Sequence, residues 1–260
     1  MAALALLVLR GSSCLNVKRP YKAPTAKEVI AALRVRSARV RTMRGETRMN
    51  HRTDQGKVKA TVRMMASQGG RLRFDAVSPF DTPLATLVTS GGRFALVDAQ
   101  KNRHYHGPAS PCNIARLLRV AMQPDDMLTV LGGSTPIIEH KSASVAWDDR
   151  AFEEVLTLKG SQLTQTVRLD GTDRRWDLRL SEIRDSEGLL LSIKASDYKT
   201  RGGLRLPQRI KVEQPRNKAQ LDVTFKQQEV NVKLPDAAFE LPEARGMPSQ
   251  KVDCTTVIKQ

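Results

Sequence analysis

Alternation dominates this chain. Val58, Ala60, Val62 and Met64 share one face while Lys57, Lys59, Thr61 and Arg63 share the other, the period-two signature of a half-buried strand. Leu72, Phe74 and Ala76 repeat the pattern. Two short strands, around residues 84–90 and 93–98, are joined by Gly91-Gly92. Beyond residue 137 the alternation returns in Leu163/Val167/Leu169, Trp176/Leu178/Leu180 and Leu189/Leu191/Ile193/Ala195. It continues in Ile210/Val212 and Leu221/Val223/Phe225. The last set slips phase to Val230/Val232 across residues 227–229, which predicts a bulge or a break. One dry face and one wet face, strand after strand, describe a mainly β protein built on a curved antiparallel sheet or barrel.

Helical periodicity precedes this series once and interrupts it once. Thr25 and Glu28 have capping-box spacing, and Ala26, Val29, Ile30 and Leu33 fall on one helical stripe behind them. Around residues 110–131, Ile114, Leu117, Leu118 and Ala121 make a second stripe. Met127, Val130 and Leu131 follow Pro124 and are ended by Gly132-Gly133. No internal repeat or low-complexity block occurs.

One hairpin carries an unexpected residue. Between the strand at residues 72–77 and the one after Pro83 lies Ser78-Pro79-Phe80-Asp81-Thr82-Pro83, whose two prolines exclude a central strand. Turn chemistry accounts for the prolines, the serine and the aspartate. It does not account for Phe80, whose burial would be worth roughly 1.5–3 kcal/mol. Either the ring folds back onto the sheet or it serves a purpose at the tip.

Charge changes the picture. The 260 residues carry 43 Lys+Arg against 27 Asp+Glu, a formal charge of +16, and residues 1–63 alone hold 15 basic and 3 acidic side chains. This asymmetry points to an anionic partner near the N-terminal part, nucleic acid or a phospholipid surface, with a solvated basic face as the plain alternative. Arg34, Arg36, Arg39, Arg41 and Arg44 form a dense run, yet no aromatic residue lies between Tyr21 and Phe74 to stack on bases. Nucleic acid is therefore the distant reading. Aromatic residues make up only 4% of the chain, so the core is expected to be mainly aliphatic.

The N-terminus carries a second signal. Ala2–Leu9 is an apolar run too short to span a bilayer but long enough for a signal-peptide core. Gly11-Ser12-Ser13 then precede Cys14, as small residues precede a lipidated cysteine, although no positive charge precedes the run. Residues 1–13 thus read as a truncated or degenerate lipoprotein signal and residues 14–25 as a basic tether. An ordinary N-terminal thiol is the alternative for Cys14. In an oxidising envelope the other cysteines, Cys112 and Cys254, could pair and clip the tail to the domain; two separate thiols are the alternative.

Catalytic constellations are not apparent. His104 and His106 share a strand face but lack a third ligand at motif spacing, so no metal site is assigned. Asp125-Asp126 after Pro124 reads as helix capping. No nucleophile motif, phosphate-binding glycine loop or CxxC occurs. The expectation is a protein that is not an enzyme and uses no cofactor.

Taken in order, "RLRFDAVSPFDTPLATLVTSGGRFALVDAQKNRHYHGPA", "LLRVAMQPDDMLTVLGG" and "SDYKTRGGLRLPQRIKVEQPRNKAQLDVTF" resemble the LolA/LolB family of bacterial lipoprotein carriers, and LolB more closely. The resemblance implies an unclosed antiparallel β-barrel of about eleven strands with a helical lid, over residues 26–243, followed by a tail at 244–260. It implies a hydrophobic cavity that holds lipoprotein acyl chains and helps insert or localise them at the outer membrane. The strand faces that would line it are Leu72, Phe74, Leu178, Leu180, Leu191, Ile193, Ile210, Val212, Leu221, Val223 and Phe225. The lid would present Val29, Ile30, Leu33, Ile114, Leu117, Leu118, Met127 and Leu131.

Pro79, Phe80 and Asp81 would form the membrane-insertion loop, with Asp81 replacing the family's usual glycine. Cys14 would be the lipidation site of a monomer anchored in the outer membrane and facing the periplasm. Its partners would be acylated lipoproteins, an anionic phospholipid surface and a LolA-like carrier. A soluble periplasmic LolA-like carrier, or a lipoprotein binding another lipid, is the alternative.

Overall fold

The computed structural model describes residues 18–53 and 56–253. Helix α1 (Ala26–Arg39) comes first, followed by β1 (Thr42–Thr53), β2 (Gly56–Ser67), β3 (Arg71–Val77), β4 (Pro83–Ser90), β5 (Arg93–Asp98) and β6 (Arg103–Pro108). Two short helices, α2 (Pro111–Leu118) and α3 (Pro124–Leu131), then cross the sheet. The chain returns to it through β7 (Ser142–Asp148), β8 (Glu153–Lys159), β9 (Thr164–Asp170), β10 (Asp177–Asp185), β11 (Gly188–Arg201), β12 (Leu204–Gln214), β13 (Ala219–Val230) and β14 (Ser249–Lys251).

These fourteen strands form one sheet in the order β14-β6-β5-β4-β3-β2-β1-β13-β12-β11-β10-β9-β8-β7. The sheet is open, with β14 and β7 at its edges, and every pairing is antiparallel except that of β14 with β6. The count exceeds the expected eleven. Alternation does not mark the short edge pieces clearly: β14 is exposed throughout, and β7 has no fully buried residue.

Helices fill the concave side. The Thr25–Glu28 capping box forms as its spacing predicts, with the Glu28 carboxylate accepting the Thr25 backbone N–H at 2.7 Å. Val29, Ile30 and Leu33 then point inward and are buried. Asp125 and Asp126 do not cap α3. Gln123 is its N-cap, without a side-chain bond, and the two aspartates occupy the first turn, where the helix dipole favours negative charge.

Register shifts interrupt four of the strand ladders, and two of them concern residues 225–227 and 178–180. The slip expected near residue 227 occurs at Lys226: Glu46 pairs with Gln227 and the next residue, Thr47, pairs with Phe225. The other was not anticipated. Leu178 pairs with Leu169 but Leu180 pairs with Arg168, so Arg179 is the extra residue on β10. Leu180 therefore leaves the inner face and Ser181, opposite Val167, replaces it.

The tail is not a loose extension. Val252 donates its N–H to the His106 carbonyl at 2.8 Å, and His104 donates from Nε2 to the Pro242 carbonyl at 3.0 Å while its Nδ1 shares a hydrogen bond with Ser249 Oγ at 2.8 Å. Gly107 is required here, since a Cβ at that position would collide with the Val252 carbonyl. The tail thereby covers the exposed hydrogen-bonding groups of β6. Residues 14 and 254 lie outside the described residues, so neither Cys14 nor Cys254 is placed. Cys112 is disulfide-bonded.

Candidate functional site

Most of the anticipated inner face is where alternation placed it. Leu72, Phe74, Leu178, Ile193, Ile210, Val212, Leu221, Val223 and Phe225 are buried, and Leu191 is half-buried against them. Leu180 is the exception, turned outward by the Arg179 bulge. The lid residues Val29, Ile30, Leu33, Ile114, Leu118, Met127 and Leu131 are buried in the same continuous cluster, with Leu117 partly buried at its margin. Strand face and lid thus fill each other. The concave side holds its own helices where acyl chains were expected.

Polar groups inside this cluster are satisfied by one another. Gln165 Nε2 reaches Ser181 Oγ at 3.0 Å and the Pro136 carbonyl at 2.8 Å, and Thr135 Oγ1 donates to Ser181 Oγ at 2.9 Å. Gln214 holds the segment between the two lid helices, accepting from the Ala121 N–H at 2.8 Å and donating to its carbonyl at 2.6 Å. These bonds fix the lid's connections at few points, while apolar contact supplies the rest.

Phe80 does not fold back. Its side chain is 90% exposed at the β3–β4 tip. The tip is built rather than loose. Ser78 accepts from the Asp81 N–H through its carbonyl at 3.1 Å, and its Oγ accepts the N–H groups of Phe80 at 3.2 Å and Thr82 at 3.1 Å. Asp81 adopts a left-handed backbone (φ 62°), a conformation usual for glycine and tolerated by aspartate. Its carboxylate meets Arg63 of β2 at 2.7 Å, which neutralises the charge at the tip. Pro79 and Phe80 are left projecting.

The basic tether is docked at the sheet's other end. β3 runs in the same sense as β12, so the loop after Val77 lies opposite the end where Leu204 begins β12. Glu154, fully buried near the start of β8, takes Arg19 at 2.6 Å. Tyr21 packs edge-on against Trp147 and Trp176, at 6.1 and 6.5 Å between ring centroids. Burial and the nearby Glu154 carboxylate push the Tyr21 phenol upward from its ordinary value. Gly171 must lack a side chain, because a Cβ there would strike the Tyr21 hydroxyl. Alternation gives no sign of this clasp, since its members come from four separate segments.

His104 and His106 stack with ring centroids 5.6 Å apart. Among the described residues no group of three His, Cys, Asp or Glu side chains is gathered to hold a metal. No described helix is long and apolar enough to cross a membrane.

The sequence matches no protein-family model and no curated protein sequence. Solved structures are similar in fold. A DUF1329 family protein from Desulfovibrio piger superposes with a TM-score of 0.54 at 14% identity, covering 82% of this chain and 97% of that one. A putative outer membrane lipoprotein-sorting protein domain from Vibrio parahaemolyticus gives 0.54 at 12% identity, covering 83% and 97%. A LolA superfamily protein from Nitrosomonas europaea gives 0.52 at 12% identity, covering 84% and 98%. An open, curled antiparallel sheet wrapped around a few helices is the architecture shared with them, and this chain has the LolA-like fold.

Proposed function

We propose that this protein is an acyl-chain carrier of the bacterial cell envelope, acting on lipoproteins. The observation that carries the reading is the isolated Phe80. A hairpin that spends four side-chain and backbone bonds on its own turn, and an ion pair on its aspartate, presents one bare aromatic ring to solvent. An aromatic ring at the end of a short projection suits the boundary between headgroups and acyl chains. The likeness in fold to a lipoprotein-sorting protein domain supports the same reading.

The mechanism follows from the core. Its inner face and lid are mainly aliphatic, so an acyl chain entering beneath the helices would replace lid contacts with chemically similar ones. Each methylene taken from water contributes about 0.8 kcal/mol. The lid's hydrogen bonds through Gln214 and Gln165 would break or survive as the helices shift. Delivery requires no nucleotide, since the chains pass to a more hydrophobic phase. Pro79 and Phe80 would touch the receiving surface while Asp81, paired with Arg63, stays at the headgroup level.

The docked tether bears on whether the protein is anchored. From Lys18 back to Cys14 the chain spans at most about 14 Å. A lipid on Cys14 would hold the tether end toward its own membrane and leave Phe80 facing away, unless the Arg19–Glu154 clasp opens. The arrangement favours a Phe80 end that meets a second surface, as a soluble carrier or a bridging lipoprotein would.

The test mixes the protein with a purified triacylated lipoprotein and anionic liposomes, comparing wild type with Phe80→Glu. Capture by both, with delivery lost in the variant, is the expected result. Capture by neither would remove the acyl-chain reading.

A further inference from the structure

A second site lies at the tether end. Between α1, the loop after β9 and the β11–β12 turn is a groove of about 460 Å³, within the size range of small-molecule sites. Five arginines line it, Arg36, Arg39, Arg174, Arg175 and Arg205, against one lining carboxylate, Asp173.

The floor is rigid and positively charged. Asp177, 1% exposed, bonds Arg36 Nη1 at 2.9 Å and Arg205 Nη2 at 2.7 Å, so one buried carboxylate serves two guanidinium groups. Arg36 is further fixed by the carbonyls of Arg175 at 3.0 Å and Arg205 at 2.6 Å. Both guanidinium groups also lie over the Tyr198 ring, at 5.3 and 5.8 Å. This leaves a net positive charge in a partly dehydrated floor, an arrangement that is costly without a counter-charge.

The rim adds to it. Arg39 and Arg174 make no ion pair with a described carboxylate, and Arg175 is engaged by exposed Asp173. Asp173, Arg174 and Trp176 all hold left-handed backbones, three non-glycine residues within four positions. Such strain gathers where a segment is held for a purpose. Beside the arginines, Val35 is 57% exposed and Leu204 supplies a further apolar surface.

We propose that this groove binds the phosphate of an acidic lipid headgroup, with the first methylenes of the lipid against Val35 and Leu204. Guanidinium forks match phosphate oxygens bidentately, and the positive floor supplies the fixed partner. The groove and the docked tether share Trp176, so the end where Arg19 and Tyr21 dock is also the end that recognises anionic lipid. The proposal deepens the envelope reading but needs neither the acyl-chain core nor Phe80.

Vesicle flotation tests it with the full chain. Arg39→Ala with Arg174→Ala is compared against Arg48→Ala with Arg52→Ala, two exposed arginines of β1 that likewise make no described ion pair, so both variants lose equal charge. On phosphatidylglycerol-containing phosphatidylcholine vesicles the groove variant should bind roughly thirtyfold more weakly, and the β1 variant within about twofold of wild type. Pure phosphatidylcholine should bind none of them appreciably. Equal losses in the two variants would overturn the site, leaving net charge as the cause. Quenching of tryptophan fluorescence by inorganic phosphate, without vesicle binding, would overturn the lipid source in favour of a free anion. Lipoprotein capture by the groove variant at the wild-type level keeps failure here distinct from failure of the carrier reading.

Discussion

Arg63 on β2 reaches across to Asp81 at the neighbouring hairpin tip, 2.7 Å away, and so sets the loop from which Phe80 projects. The same arginine lies 3.9 Å from Glu46, which Lys226 also engages at 2.8 Å. A row of alternating charges thus runs from the bulge in β13 to the β3–β4 loop. Both partners of the Arg63–Asp81 pair are well exposed, so its value is positional rather than energetic.

Arg63→Ala should therefore leave thermal unfolding near wild type while lowering delivery of a captured lipoprotein to anionic liposomes several-fold. Asp81→Gly removes the same ion pair while suiting the left-handed backbone, so it should lower delivery to a similar degree. Thermal melts run beside the delivery assay separate the two effects. A large fall in melting temperature for Arg63→Ala would contradict the positional role.

The Arg19–Glu154 clasp should behave as a buried pair. Arg19→Ala leaves an unpaired carboxylate with no exposure, at a cost of about 3 kcal/mol, whereas Arg19→Met with Glu154→Leu should recover most of the loss. Urea unfolding of the single and double variants measures this. Limited proteolysis should cut near residue 20 in the single variant and not in wild type, because the tether then loses its ion pair.

Lid packing competes with cargo if acyl chains enter beneath it. Leu131→Ala would remove a buried side chain of α3 and cost about 2–5 kcal/mol of stability. The space released should tighten binding of a fluorescent fatty-acid probe at the same time. Weaker stability with unchanged or weaker probe binding would place cargo elsewhere than beneath α3.

Asp126 gives a pH signature with a definite sign. Burial first, and the neighbouring Asp125 charge second, hold its carboxyl above the usual range. The folded state therefore favours the protonated form. Its ionisation penalty is absent below the ordinary aspartate value of about 3.9 and is fully expressed once pH exceeds the raised one. Asp126→Asn should raise the melting temperature by roughly 1–2 °C at neutral pH, with the gain vanishing below about pH 4. Asp148 should show the reverse, because its bond to Arg168 holds it low. Asp148→Asn should lose stability at neutral pH, and the difference should fade as pH falls through the folded value.

Alternation alone was enough to place Leu72 and Phe74 on one buried face, and Ile210, Val212, Leu221, Val223 and Phe225 with them, because side-chain direction in a strand has a period of two. Thr25 and Glu28 likewise announced α1, since a capping box is a contact between near neighbours. The lid residues were legible as helical stripes for the same reason. Local geometry carries local information.

What tertiary structure decided involves residues far apart in sequence. The Arg179 bulge turned Leu180 outward, and nothing in the pattern around it required an extra residue there. Exposure of Phe80 depended on whether the hairpin could reach the sheet, a matter of long-range packing. The tether's clasp joins residues 19 and 21 to 147, 154 and 176, and the arginine groove gathers residues 36 and 39, 173–176 and 203–206. The N-terminal arginine run was visible as charge. Which of its members would share a buried aspartate depended on the curl of fourteen strands, which sets how far apart their ends finally stand.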